Sequence, residues 1–291
     1  MFSGSLVALV TPFRRGEVDW KGLERLVDWH VQEGSDGLVP VGTTGESPTV
    51  SVAEHEKIIE AVVRRAAGRI PVIAGAGANS TAEAIELAQF SKQVGADATL
   101  QVCPYYNKPT PEGLYRHFAA IAEAVDLPMV LYNIPSRTGV SMSPETIARL
   151  AEIRQVVAIK ESTGSMDQAS EILARCSLTV LSGDDSLTLP LMALGARGVI
   201  SVVANVVPRD VKRLTAAMLA GNLAEARAAH LKLFPLCRAM FLETNPIPVK
   251  TAMKWMGLLE SDEKRLPLVD LSAASADALR RAMKEYGLAV K

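Results

Sequence analysis

Eight short apolar runs, each followed by a longer amphipathic stretch, constrain this chain more than any other feature. The runs are Leu6–Thr11, Gly37–Val41, Pro71–Gly75, Ala98–Val102, Pro128–Tyr132, Val156–Lys160, Leu178–Ser182 and Gly198–Val202. Short apolar runs with turn residues around them read as buried strands. Helical start and stop signals lie between them. Asp19 opens a stretch ending at Gly34, Ser51 with Glu54 three residues on makes a capping box, and Gly68 stops that helix. Asn79 or Ser80 opens the run to Gly95, and Ser143-Pro144-Glu145 places proline in a first turn. Each unit is long enough for a right-handed parallel crossover, and eight of them close most simply into an α/β fold of the (β/α)₈ TIM-barrel kind. A doubly wound sheet is the alternative. It would usually carry a glycine-rich phosphate fingerprint after its first strand, and Val10-Thr11-Pro12-Phe13 has none.

After about Val207 the pattern is helical, including Leu223–Glu243 and Ala276–Tyr286, with a break at Asn245-Pro246-Ile247-Pro248. Residues 1–220 read as the barrel with its catalytic site, and 221–291 as a C-terminal helical extension packed on it. Lys and Arg total 31 against 32 Asp and Glu, and no basic run interrupts the chain, so nucleic acid is not an expected partner. A hydrophobic content of 48% without a membrane-length run fits an ordinary soluble α/β protein. Cys103, Cys176 and Cys237 are odd in number and lack CxxC spacing, which points to a reducing cytoplasm. The stretch Met1–Pro12 lacks a basic leader and reads as a first strand rather than a signal peptide.

Barrels of this kind carry their active sites at the C-terminal ends of the strands. The sixth run ends in Lys160. A side-chain period of two puts Val156, Ala158 and Lys160 on one face and Val157 and Ile159 on the other. Burial disfavours an ammonium, by roughly 3–5 pKa units when complete, and frees an amine to attack a carbonyl. The alternative is a lysine that snorkels from the strand end or pairs with Glu161. Gly42-Thr43-Thr44-Gly45-Glu46-Ser47 follows the second run, either as two hydroxyls that hold a carboxylate or as a plain polar turn. Tyr105 and Tyr106 follow the fourth, where packing at an interface is the commoner use. After the fifth come Tyr132, suited to proton relay, and Arg137, suited to bidentate binding of a carboxylate. A capped core tyrosine and a solvated arginine are the alternatives. Gly183 would suit phosphate, but Asp184 and Asp185 beside it argue against that and against pyridoxal phosphate on Lys160. His30, His55, His117 and His230 fall in helical stretches without metal-ligand spacing. The residues thus point to a carbonyl reaction through a Schiff base without metal or organic cofactor, a class I aldolase or lyase.

Gly42-Thr43-Thr44-Gly45-Glu46, Tyr132–Gly139, Ile159-Lys160-Glu161 and Asn245–Lys250 together resemble the dihydrodipicolinate synthase family. Thr43, Thr44, Tyr132 and Lys160 are shared with the wider class of pyruvate-dependent lyases related to N-acetylneuraminate lyase. Arg137 and the Pro104-Tyr105-Tyr106 motif point more narrowly to the synthases. The resemblance implies condensation of pyruvate with L-aspartate 4-semialdehyde to 4-hydroxy-tetrahydrodipicolinate, on the route to diaminopimelate and lysine. It implies that Lys160 forms the imine, Thr44 holds the pyruvate carboxylate, and Tyr132, Thr43 and Tyr106 relay protons. Arg137 would meet the semialdehyde carboxylate, while Gly183 and Ile200 would line the keto-acid pocket. It further implies an inhibitory lysine site at Asn79, Glu83, Tyr105, His55 and Pro48, and a homotetramer built as a pair of tight dimers in which Tyr106 reaches the neighbouring barrel. Pro48 and Val52 stand where family members often have small or polar residues. A sialic acid or keto-deoxy sugar-acid lyase would share Lys160 but not need Arg137. A non-catalytic keto-acid sensor is the alternative from another class, and the intact set of Thr43, Thr44, Tyr106, Tyr132 and Lys160 speaks against it.

Overall fold

In this computed structural model, which describes residues 2–290, eight parallel strands stand where the apolar runs lie. They are β1 Gly4–Ala8, β2 Gly37–Val39, β3 Ile73–Gly75 and β4 Ala98–Val102, then β5 Met129–Asn133, β6 Val156–Glu161, β7 Thr179–Ser182 and β8 Gly198–Ser201. Pairing runs β2-β1-β8-β7-β6-β5-β4-β3. The remaining seam, between β2 and β3, is joined by a bridge from Leu38 to Val72 and by hydrogen bonds from Leu38 N–H to the Pro71 carbonyl (2.9 Å) and Gly75 N–H to the Pro40 carbonyl (3.0 Å). The sheet thereby closes into a barrel. Its interior is filled by inward residues including Leu6, Ile73, Leu100, Val130, Leu181 and Ile200.

The helices begin where side chains supply caps. Asp19 accepts from Gly22 N–H at the head of Trp20–Gln32, and the Ser51–Glu54 box heads Val52–Ala66. Ser80, not Asn79, caps Thr81–Gln93. At the C-terminal end the pattern is refined. The helix Leu223–Ala239 stops short of Glu243, and Ala273–Tyr286 starts three residues before Ala276 because Ser272 caps it. The expected break at Pro246–Pro248 is instead the entrance to a further helix, Ile247–Trp255, whose first turn tolerates proline because its N–H groups need no helical partner. Leu233, Leu236, Leu279 and Met283 share one buried cluster with Val7, Leu26 and Ile58, so the terminal helices and this side of the barrel have a common core.

One strand departs from simple alternation. Met129 pairs with Val156 but Val130 pairs with Ala158, which leaves Val157 as an extra residue in β6. The bulge exchanges two side chains. Val156 joins the outer core and Val157 packs against the barrel interior, contrary to the expected sharing of a face by Val156, Ala158 and Lys160. Beyond the bulge the alternation resumes, with Ala158 inside and Ile159 outside. Among the described residues no helix is long and apolar enough to cross a membrane.

Candidate active site

The pairing of β5 with β6 sets Tyr132 directly opposite Lys160. The Lys160 Nζ lies 4.1 Å from the centre of the Tyr132 ring, and each residue is only 5% exposed. Glu161, one residue on, points to the other side of the sheet. Its carboxylate accepts from Asn133 Nδ2 (3.3 Å) and Thr163 N–H (2.8 Å), and burial pushes its pKa up, so it is not the partner of Lys160. Next door, Gly183 leaves the space that the Ser162 hydroxyl fills beside the Lys160 stem: a Cβ there would lie 1.7 Å from Ser162 Oγ and 3.0 Å from Lys160 Cε. The neighbouring Asp184 carboxyl is pushed up by burial and drawn part of the way back by the Lys160 charge. Ile200 is buried in the same interior cluster as Tyr132.

A cavity of about 270 Å³ adjoins this group, with Thr43, Pro48, Tyr105, Tyr132, Ile134 and Arg137 among its walls. Thr44 is almost fully buried, and its Oγ1 accepts a hydrogen bond from Asn245 Nδ2 at 3.0 Å. Arg137 is exposed but tethered, its Nη2 donating to the Asn245 carbonyl at 3.3 Å. The loop that carries both threonines is fastened from beneath by charge. Lys250 Nζ donates to Glu46 Oε1 (2.6 Å) and to the Thr11 carbonyl (2.9 Å), with both charged side chains fully buried. Burial lowers the Lys250 pKa to about 8 against the opposing pull of Glu46. Arg265 N–H donates to the other Glu46 oxygen at 3.0 Å. Sequence reasoning missed Asn133, Asn245 and the Glu46–Lys250 pair as supports. The available signal was polar or charged residues inside otherwise apolar motifs, above all Asn245 and Lys250 flanking Pro246-Ile247-Pro248-Val249.

A second, smaller cavity of about 130 Å³ shares Ser47, Pro48, Gly77 and Tyr105 with the first and adds His55 and Glu83. The His55 Nε2 lies 2.6 Å from the Gly75 carbonyl, which can only accept, so that nitrogen carries the proton. Burial keeps the ring's pKa below its ordinary value, and the neutral imidazole has Nδ1 left as an acceptor. The Tyr105 phenol is pushed up by burial and then by the Glu83 charge. Asn79 Nδ2 donates to the Tyr105 carbonyl at 3.2 Å and so holds that loop. Tyr106 goes the other way: it is 90% exposed, with a backbone φ of 71°, and lines neither cavity. Of the residues singled out from sequence, the fold brings Lys160, Tyr132, Gly183 and Ile200 together, sets Thr43 and Arg137 on the adjoining cavity, and gathers His55, Pro48, Glu83 and Tyr105 around the smaller one.

Residues 1–286 fit the model of the dihydrodipicolinate synthetase family. The chain belongs to that family. A 4-hydroxy-tetrahydrodipicolinate synthase from Pelobacter propionicus is 58% identical over 290 residues, covering 99% of this chain and all of that one. The crystal structure of dihydrodipicolinate synthase from Aquifex aeolicus matches with a TM-score of 0.98 at 54% identity over the full length of both chains. Two further dihydrodipicolinate synthase structures carry small molecules. The enzyme from Acinetobacter baumannii, complexed with pyruvate, is 48% identical with a TM-score of 0.97, covering 99% of this chain and 100% of that one. That from Cyanidioschyzon merolae, with lysine bound, is 44% identical with a TM-score of 0.96, covering 99% of each.

Proposed function

We propose that this member of the dihydrodipicolinate synthetase family condenses pyruvate with L-aspartate 4-semialdehyde to 4-hydroxy-tetrahydrodipicolinate, through an imine on Lys160. The observation that carries the reading is the buried Lys160 amine 4.1 Å from the Tyr132 ring at the C-terminal end of a closed barrel. The Lys160 amine adds to the keto carbon of pyruvate, and loss of water leaves an iminium. That cation is an electron sink which acidifies the adjacent methyl group, so a base removes a proton and the resulting enamine attacks the aldehyde. Tyr132 is within reach of the amine and serves as the proton carrier, with Thr43 and Tyr106 as the route onward. Thr44 receives the pyruvate carboxylate, and Arg137 receives that of the semialdehyde as a bidentate pair. Gly183 and Ile200 bound the pocket of the keto acid.

The smaller cavity is the site for L-lysine as an inhibitor. Glu83 there matches an ammonium and His55, Tyr105 and Pro48 frame the rest, while Asn79 does not line the cavity and contributes by holding the Tyr105 loop. Because this cavity shares Pro48 and Tyr105 with the first, an occupant presses on a wall of the reaction site without filling it. The active assembly is a homotetramer of paired dimers, in the cytoplasm, with Tyr106 supplied to each barrel by its neighbour.

Incubation with pyruvate and borohydride tests the central claim. One pyruvate-derived adduct per chain is expected on the peptide that carries Lys160, and a coupled assay with the semialdehyde should show turnover. An adduct that survives in Lys160→Ala, or trapping without turnover on the semialdehyde, overturns the assignment. For the second cavity, millimolar lysine should lower turnover without displacing pyruvate, and Glu83→Ala should remove that response.

A further inference from the structure

Asn245 lies well beyond the last strand in sequence, yet among the described residues it alone is hydrogen-bonded to both carboxylate-binding side chains of the proposed site. Its side-chain Nδ2 donates to Thr44 Oγ1 at 3.0 Å, and its main-chain carbonyl accepts from Arg137 Nη2 at 3.3 Å. The residue is 5% exposed, and its Oδ1 is buried with no hydrogen-bond partner. A threonine hydroxyl has one proton to give and two lone pairs to receive. Because Asn245 N–H occupies a lone pair, the Thr44 proton cannot be given back to the same donor. Among the described residues the Thr44 hydroxyl makes no other hydrogen bond.

We infer that Asn245 is a positioning residue which turns Thr44 into an obligate donor, aiming its single proton at the carboxylate of the keto acid. A free threonine hydroxyl rotates among staggered positions and can equally accept, and an acceptor would face an anion with a lone pair. The amide removes that choice before substrate arrives. It is held in place in turn: the segment enters the helix Ile247–Trp255, whose Lys250 is locked to Glu46 in the threonine loop itself. The segment that carries Asn245 is thereby fastened to the threonine loop by a buried ion pair. The contact to Arg137 is through the main chain. Side-chain substitution spares it, so the two substrates should respond differently.

This inference rests on the assignment of Thr44 to pyruvate, and the test separates the two. The concentration of pyruvate that half-saturates borohydride trapping on Lys160 is measured alongside the KM for semialdehyde, in the wild type, Asn245→Ala, Asn245→Asp, Thr44→Val and Thr44→Val/Asn245→Ala. Loss of one buried hydrogen bond to an anion-binding donor corresponds to roughly a tenfold rise in the pyruvate value for Asn245→Ala. The semialdehyde KM should change by less than about twofold, which a general loosening of the fold would not respect. Asn245→Asp keeps the shape but can only accept, so it should draw the Thr44 proton to itself and raise the pyruvate value at least as far. In the Thr44→Val background, Asn245→Ala should add less than about twofold, since its intermediary is gone. An Asp variant with wild-type trapping, equal penalties in both backgrounds, or parallel losses for both substrates would overturn the role of Asn245 while leaving imine formation intact. A wild type that forms no imine would remove the functional reading and this one together.

Discussion

At the scale of single residues, the site is built as much by what is missing as by what is present. Lys160 was legible because an amine interrupts an apolar run at the expected end of a strand, and Tyr132 because it closes the preceding run. Gly183 was placed at the keto-acid pocket only by resemblance, and the packing now gives it a physical reason: any Cβ there collides with Ser162 and crowds the Lys160 stem. Gly183→Ala should therefore fold and yet lose roughly tenfold to a hundredfold in kcat/KM, the scale expected when a reacting group is displaced by a fraction of an ångström to an ångström. Replacing Ser162 by glycine in the same chain relieves the closer of the two contacts and should restore part of the loss. Steady-state kinetics and pyruvate trapping on the single and double variants check this, and a double variant no better than Gly183→Ala would place the damage elsewhere. Asn245 was not legible as a contact, because nothing in local spacing relates it to Thr44 across 201 positions of chain.

At the scale of elements, the alternating pattern located all eight barrel strands but not the small hairpin of Phe13–Arg14 with Glu17–Val18, and its fine register escaped. The bulge at Val157 depends on how β6 meets β5, and two adjacent valines look alike to any periodicity argument. The same limit applies to the C-terminal segment: its prolines marked an irregularity, but only packing shows that this stretch reaches back to fasten the threonine loop. Arg265 completes that attachment by gripping Glu54 in a bidentate pair, at 2.6 and 2.8 Å. The Arg265 guanidinium holds the Glu54 carboxyl down to about 2, against an ordinary 4.5. Since the folded value lies below the unfolded one, the unfolded chain binds more protons between them, and stability must fall with falling pH in that window. The contribution is complete above about 4.5 and disappears as the pH passes through 2. Urea midpoints measured from pH 6 to 2 should show Arg265→Ala less stable than the wild type at pH 6, with the gap narrowing below 4.5. A gap of constant size would mean that Arg265 acts through its carbonyl contacts to Thr49 and Gly16 and not through Glu54.

At the scale of the whole molecule, the barrel and its added helices could be read from eight repeats of one pattern, whereas the completeness of the site could not. Tyr106 shows why. A bulky residue with φ at 71° is strained, and one that is also 90% exposed buries little against the described residues to offset the strain. Its neighbour Tyr105 takes the inward position against both cavities, so the loop divides its two phenols between this chain and whatever lies outside. A second copy of the chain is the occupant that the proposed assembly supplies. The consequence is measurable with two inactive chains, Tyr106→Phe and Lys160→Ala, each first checked for folding. In a mixed dimer the barrel of the Tyr106→Phe chain keeps its Lys160 and receives an intact Tyr106 from its partner, so one site is whole. The other site carries both defects. Equal amounts combined at random give half mixed dimers with one working site each, or about a quarter of native activity where both parents have essentially none. Activity should appear only after co-expression or co-refolding, and should track the fraction of mixed dimers on a column that separates them by a tag. Mixed dimers that are isolated and remain inactive would confine Tyr106 to its own chain, and its strained outward position would then need an explanation other than catalysis.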